Sequence, residues 1–147
     1  MFFEDGELLD WGTLEDAPED AVQLALVDRI LDGCAADILI LEDPDADGSK
    51  RKPRMAHLLR IFARHARKRG VEIVSIARAD VHAAWARRGL QRKEAVAAAI
   101  GGMLPELAHL VPPARTKWAN EADRVNIFDA ASLVLYRDAT HFEELVP

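Results

Sequence analysis

The sequence predicts an α/β fold, a mixed sheet flanked by helices and led by an N-terminal hairpin. Three observations carry this. Two short apolar runs, "DILILE" and "VEIVSI", bracket an amphipathic segment at residues 53–69, which is strand–helix–strand order. Continuous apolar runs of this length suit strands buried on both faces under helices. Finally, "MFFE" and "ELLDWGTL" flank Asp5-Gly6, a dipeptide that suits a type I′ hairpin turn because both positions tolerate positive φ.

The elements follow in order. After the hairpin, Asp16 can cap a helix that carries Pro18 in its first turn. Its apolar stripe is Val22, Leu26 and Ile30 with Ala25, and Gly33 ends it. "DILILE" is the next strand. The helix at 53–69 places Met55, Leu58, Leu59, Phe62, Ala63 and Ala66 at helical spacing. Arg54, Arg60, Arg64, Arg67 and Lys68 fall mostly off that stripe, and Gly70 closes the helix. "VEIVSI" is a second strand. Helical patches follow at 79–88 and 91–102, separated by Gly89. Pro112 and Pro113 stiffen a loop, and a last helix spans 120–137.

The 147 residues, half of them apolar, fit one domain, 1–147, with a core of its own. A lone cysteine, Cys34, excludes an intramolecular disulfide and reads as a small buried residue. No apolar stretch nears the roughly 20 residues of a membrane helix, and no basic leader opens the chain, so a cytoplasmic address and no membrane partner are expected. The five histidines show no zinc-ligand spacing. Trp11, Trp85 and Trp118 read as packing anchors.

The net charge of −6 hides a segregation. Residues 1–47 hold fifteen Asp and Glu against Arg29 alone, whereas residues 50–93 hold fourteen Lys and Arg against Glu72 and Asp80. Such a chain can present a positive face to phosphate in spite of its total charge. The competing reading is a solvated helix face. His57 and His65 lie on the basic helix and are expected to join its phosphate-facing side.

Acid and base meet in "DILILEDPDADGSKRKPR", residues 37–54. Asp43, Asp45, Asp47 and Gly48 match the first half of an EF-hand loop, but its twelfth position is Arg54 where a bidentate Glu belongs, and a strand stands in place of the entering helix. No phosphate-binding G-x-x-x-x-G-K-[ST] pattern exists. Glu42 differs from the loop aspartates because it ends a strand expected to be central. A carboxylate there is costly without a cation or water, and α/β sheets bind ligands at the carboxyl ends of their strands. Asp129 sits among Ile127, Phe128, Ala130, Ala131 and Leu133, with Asn126 one turn earlier on the same face.

Taken together, these features resemble the RuvC branch of the RNase H-like nucleases, the junction resolvases and their relatives. The likeness runs from "EDGELLDWGT" to "FDAASLVLY". It comprises the hairpin, a helix, the strand ending in Glu42, a helix and strand, Gly89 shortly before Lys93, and Asp129 in "FDAA". It implies an RNase H-like mixed sheet and a Mg²⁺-dependent endonuclease, with Mn²⁺ as an alternative ion, hydrolysing phosphodiesters in branched DNA. Glu42 and Asp129 would be catalytic carboxylates on the metal, Asn126 would take the place of a further acid, and Lys93 would face the scissile phosphate. Lys50, Arg51, Lys52 and Arg54 would neutralise the DNA backbone. Paired Mg²⁺ ions about 4 Å apart serve such in-line displacement. The resemblance also implies a homodimer.

One departure matters. The family opens with a central strand ending in aspartate, which this chain lacks, so an N-terminally shortened product is expected, or else a catalytically dead relative. The alternative function is therefore an RNase H-like module that binds nucleic acid or protein without cutting. A third class is a small α/β protein acting on a phosphorylated metabolite.

Overall fold

The computed structural model describes residues 1–13, 17–111 and 122–138, the side chains of 122–125 excepted. The chain is α/β and folds as two compact units, one formed by Met1–Thr13 with Val81–Pro147 and the other by Leu14–Asp80.

In the second unit, helix α1 (Asp20–Cys34) leads to strand β3 (Ile38–Glu42), helix α2 (Pro53–Lys68) and strand β4 (Glu72–Ile76). The strands pair in parallel from Ile38↔Glu72 to Glu42↔Ile76, and α2 packs on both. The amide of Glu72 donating to Asp37 (2.9 Å) and that of Asp43 donating to Ile76 (2.8 Å) extend the ladder at each end. Pro53 opens α2, where a missing N–H costs nothing, and Gly70 (φ 81°) follows its end.

Five expectations change here. The predicted stripe of α1 is not its buried face, since Val22 and Ile30 are 45% and 44% exposed while Gln23 and Leu31 are buried. The helix is apolar nearly all round, so periodicity did not single out a face. Charge did: Asp20, Asp28 and Asp32 turn toward basic groups of the α2 segment and carry Leu31 inward with them, while Gln23 donates to the Ala17 carbonyl at 3.5 Å. Helix α1 also runs on through Gly33 to a left-handed Ala35, while the predicted cap Asp16 lies outside the described residues. On α2, Leu58 and Ala66 are buried as expected, but Met55 is exposed and Ala56 takes an inner position. Finally, β3 is not buried on both faces, because Ile38 to Leu41 are only half-buried in a sheet of two strands. Cys34 is likewise half-buried.

The first unit starts with the hairpin β1 (Phe2–Glu4) and β2 (Glu7–Asp10), antiparallel with a bulge between Phe2 and Phe3. Asp5 (φ 50°) and Gly6 (φ 85°) both adopt the positive φ that the sequence demanded. Helix α3 (Arg78–Arg87) reaches Gly89 (φ 77°), followed by α4 (Lys93–Met103), a 3₁₀ helix (Pro105–Leu110) that the sequence reading missed, and α5 (Ala122–Arg137). Their core includes Trp85, Ile100, Leu107, Phe128 and Ala131. Trp85 is therefore an anchor as expected, and Trp11 tilts against His109 with ring centroids 6.4 Å apart. Trp118 and the Pro112–Pro113 loop lie outside the described residues. Among the described residues β1 and β2 bond only to each other, as do β3 and β4, so the one mixed sheet expected from sequence is two separate two-stranded sheets. The hairpin satisfies its inner edge internally and lends no strand to the parallel pair.

Candidate functional site

Strand β3 delivers Glu42 to its carboxyl end, where the residue is 8% exposed. Burial of a carboxylate requires a counter-charge, and the chain supplies two. Arg51 grips both oxygens in a fork: Nε donates to Oε1 at 2.8 Å and Nη2 donates to Oε2. Arg78 adds a weaker contact from Nη1 to Oε2 at 3.4 Å. The parallel register explains the second arginine. Glu42 lies opposite Ile76, so a residue just past the end of β4 arrives beside it. The sequence carries that signal in Arg78, two residues beyond Ile76.

The other cationic candidates divide into two kinds. Arg54 bonds Asp20 through Nη1, and its Nη2 reaches the carbonyls of Ala17 (3.2 Å) and Pro18 (3.1 Å). Lys50 and Lys52 are exposed and have no carboxylate partner among the described residues. Of the loop aspartates, Asp43 accepts the Asp45 amide at 2.9 Å in an Asx turn. Asp45 accepts Arg60 Nε at 3.2 Å. The hydrogen bonds from Arg60 hold the Asp45 carboxyl below its ordinary range, and Asp45 in turn raises Arg60.

The histidines of α2 pair with carboxylates of α1, as Arg54 and Arg69 do, although His57 stays exposed. His57 Nε2 meets Asp20 Oδ2 and His65 Nε2 meets Asp28 Oδ1, each at 2.7 Å, while Arg69 bonds both Asp28 and Asp32. Much of the charge segregation is thus an internal ladder, with α1 supplying acids and the α2 segment supplying bases.

Hydrogen bonds from His65 and then Arg69 hold the Asp28 carboxyl below its ordinary 3.8, and His57 and then Arg54 do the same for Asp20. A carboxyl depressed on folding stabilises fully above its unfolded pKa, and that contribution is lost as pH falls through the folded value. Urea unfolding at about pH 5 and about pH 3 is expected to show a smaller acid loss for Asp28→Asn than for the wild type. An identical loss in both proteins would mean that the ladder carries no linkage.

Lys93 is the exposed first residue of α4, and Asn126 (exposed) and Asp129 (half-buried) lie one turn apart on α5. These three belong to the first unit and Glu42 to the second. Within the second unit the residues do not fit a divalent ion as they stand, because both oxygens of Glu42 are engaged by guanidinium groups. Among the described residues, no group of three or more His, Cys, Asp and Glu side chains is arranged to hold a metal.

Beside Glu42 a cleft of about 540 Å³ opens between the strands and α2. Its lining includes Leu41, Ser75, Leu59 and Ala63, then Arg64, Arg67 and Lys68 toward the far end of the helix. From sequence these bases form either a phosphate-facing or a solvated helix face; the cleft beside them is a feature of the fold alone. No helix among the described residues is long and apolar enough to cross a membrane. Compared with protein-family models, curated proteins and solved structures, the chain matches none.

Proposed function

We propose that this chain is an RNase H-like module of the RuvC type that holds nucleic acid, branched DNA in particular, through its phosphate backbone without cutting it. One observation carries the reading: the cations divide into two sets. Arg51, Arg54, Arg60 and Arg69 are spent on internal carboxylates, while Lys50, Lys52, Arg64, Arg67 and Lys68 have no carboxylate partner among the described residues. Five unneutralised cations on one helix and its leading loop suit a sequence-blind attraction to phosphate. Binding of a labelled four-way DNA junction, followed by anisotropy, is expected to weaken with salt at a log–log slope of about −4.5. Lys50→Ala and Lys52→Ala should each reduce that slope by about 1. Arg54→Ala, which loses an internal pair, should leave it unchanged. Failure to bind at low salt, or binding indifferent to salt, refutes the reading.

A second reading is a Mg²⁺-dependent endonuclease, favoured by the place of Glu42 at the carboxyl end of a parallel strand. In it Glu42, Asp129 and Asn126 hold the ion and Lys93 faces the scissile phosphate, in a dimer on branched DNA. This reading requires Arg51 to give up Glu42.

A further inference from the structure

The cleft of the second unit is bipolar. At one end Arg64, Arg67 and Lys68 stand at positions i, i+3 and i+4 of α2, all exposed and without a carboxylate partner among the described residues. Like charges at that spacing repel one another, so a bound anion relieves them. The C-terminal end of a helix favours cations over anions, which means side chains, not backbone amides, must hold the anion here. Two guanidinium forks and an ammonium match the several oxygens of a phosphate dianion better than a single carboxylate. Ser75, directly across from Leu41 in the parallel register, brings a hydroxyl to the same lining.

The middle and the far end are different. Leu41, Leu59 and Ala63 form an apolar floor, and Pro44 adds to it. Beyond them Asp43 presents a carboxylate of which one oxygen takes the Asp45 amide, leaving the other as an acceptor for hydroxyl or amino groups. From Arg60 to Lys68 the helix rises about 12 Å, enough to set a ring system between the cations and the carboxylate. The volume lies within the range of small-molecule sites, which combine an apolar lining with a few placed polar groups.

From this order of charge, apolar floor and acceptor we infer that the cleft seats a nucleoside monophosphate unit, its phosphate on Arg64, Arg67 and Lys68 and its ring on Leu41, Leu59 and Ala63. Hydroxyl or amino groups of the nucleoside point to Asp43. The unit comes either as a free nucleotide or as the end of a strand. The inference shares Arg64, Arg67 and Lys68 with junction binding and adds what backbone charge alone does not need, the apolar floor and Asp43.

The test is calorimetric titration of the full chain with adenosine monophosphate, adenosine, inorganic phosphate and a single-stranded oligonucleotide with and without its 5′-phosphate. The monophosphate is expected to bind at least about tenfold more tightly than adenosine or inorganic phosphate, a difference that reports both ends of the cleft at once. Arg64→Ala with Arg67→Ala should weaken it by at least about tenfold, and Asp43→Asn should weaken the monophosphate but not inorganic phosphate. Arg29→Ala, an exposed cation of α1, should change nothing, and circular dichroism melts should show each variant folded. Tighter binding of the 5′-phosphorylated oligonucleotide than of the same strand without its 5′-phosphate assigns the site to strand ends, and equal binding of the two strands with monophosphate binding intact assigns it to free nucleotide. Inorganic phosphate binding as well as the monophosphate, no monophosphate binding, or binding indifferent to the double variant each overturns the inference. Loss of salt-dependent junction binding with monophosphate binding intact would instead defeat only the proposed function.

Discussion

Glu42→Gln is expected to destabilise the protein by about 2–3 kcal/mol, less than the full cost of breaking a wholly buried pair because its partners are partly exposed. The substitution keeps shape and volume and removes only charge. It leaves the forked guanidinium of Arg51 and the more distant one of Arg78 facing a neutral amide, whose nitrogen cannot accept from them. Urea unfolding followed by circular dichroism measures the loss, and the melting temperature should fall by roughly 5–10 °C. The sign is diagnostic. A carboxylate retained for chemistry at the expense of stability gains stability when neutralised, whereas a structural clamp loses it. A Glu42→Gln protein as stable as the wild type, or more stable, contradicts the clamp.

In the first unit the largest expected effect is at Gly101. Helix α4 meets the 3₁₀ helix so closely there that a Cβ would collide with the Val111 side chain and approach Ala108 Cα at 3.4 Å. Ile100 and Leu107, the two largest fully buried side chains, pack beside this approach, so the elements cannot separate cheaply. Glycine inside a helix costs about 1 kcal/mol relative to alanine, and close packing is what that cost secures. Gly101→Val is expected to destabilise by about 3 kcal/mol through overpacking. Gly102 adjoins it with nothing within 4 Å of its own Cβ position, so Gly102→Ala should stabilise by up to about 1 kcal/mol. Equal effects at the two glycines would show that the close approach is absent.

The two glycines also show where sequence reasoning stops. "AAIGGMLPEL" signals a helix with weak residues near its end, but nothing in it distinguishes the glycine against a neighbouring backbone from the one facing water. That difference depends on the 3₁₀ segment that starts at Pro105. Where local chemistry alone decides, the sequence was legible. Asp5-Gly6 turned as expected, α2 began at its proline, and Gly70 and Glu72 marked the passage into β4.

Where two faces of similar apolarity competed, it was not. Helix α1 could have buried the side of Val22 or that of Leu31, and the choice fell to carboxylates that pair with the α2 segment. The candidate site followed the same division. Glu42 was found because a charge at the end of an apolar strand is conspicuous. Its partners are not legible in the same way, because a basic run beside a strand end suits an external polyanion equally well, although its second member reaches back nine residues to that carboxylate. The cleft was missed for a related reason. Arg64, Arg67 and Lys68 look like any solvated helix face until the parallel strands bring Leu41 and Ser75 alongside.

The central claim is that Glu42 belongs to a clamp with Arg51 and that the chain holds DNA without hydrolysing it. A single gel assay tests it most directly: an end-labelled four-way junction is incubated with excess protein and Mg²⁺, then denatured and resolved, for the wild type, Glu42→Gln and Asp129→Asn. The account predicts, for all three proteins, a retarded junction when a portion of the incubation is run undenatured and full-length strands when the rest is denatured. Nicks made by the wild type in Mg²⁺, absent with chelator and lost in both variants, would contradict it and establish the endonuclease instead.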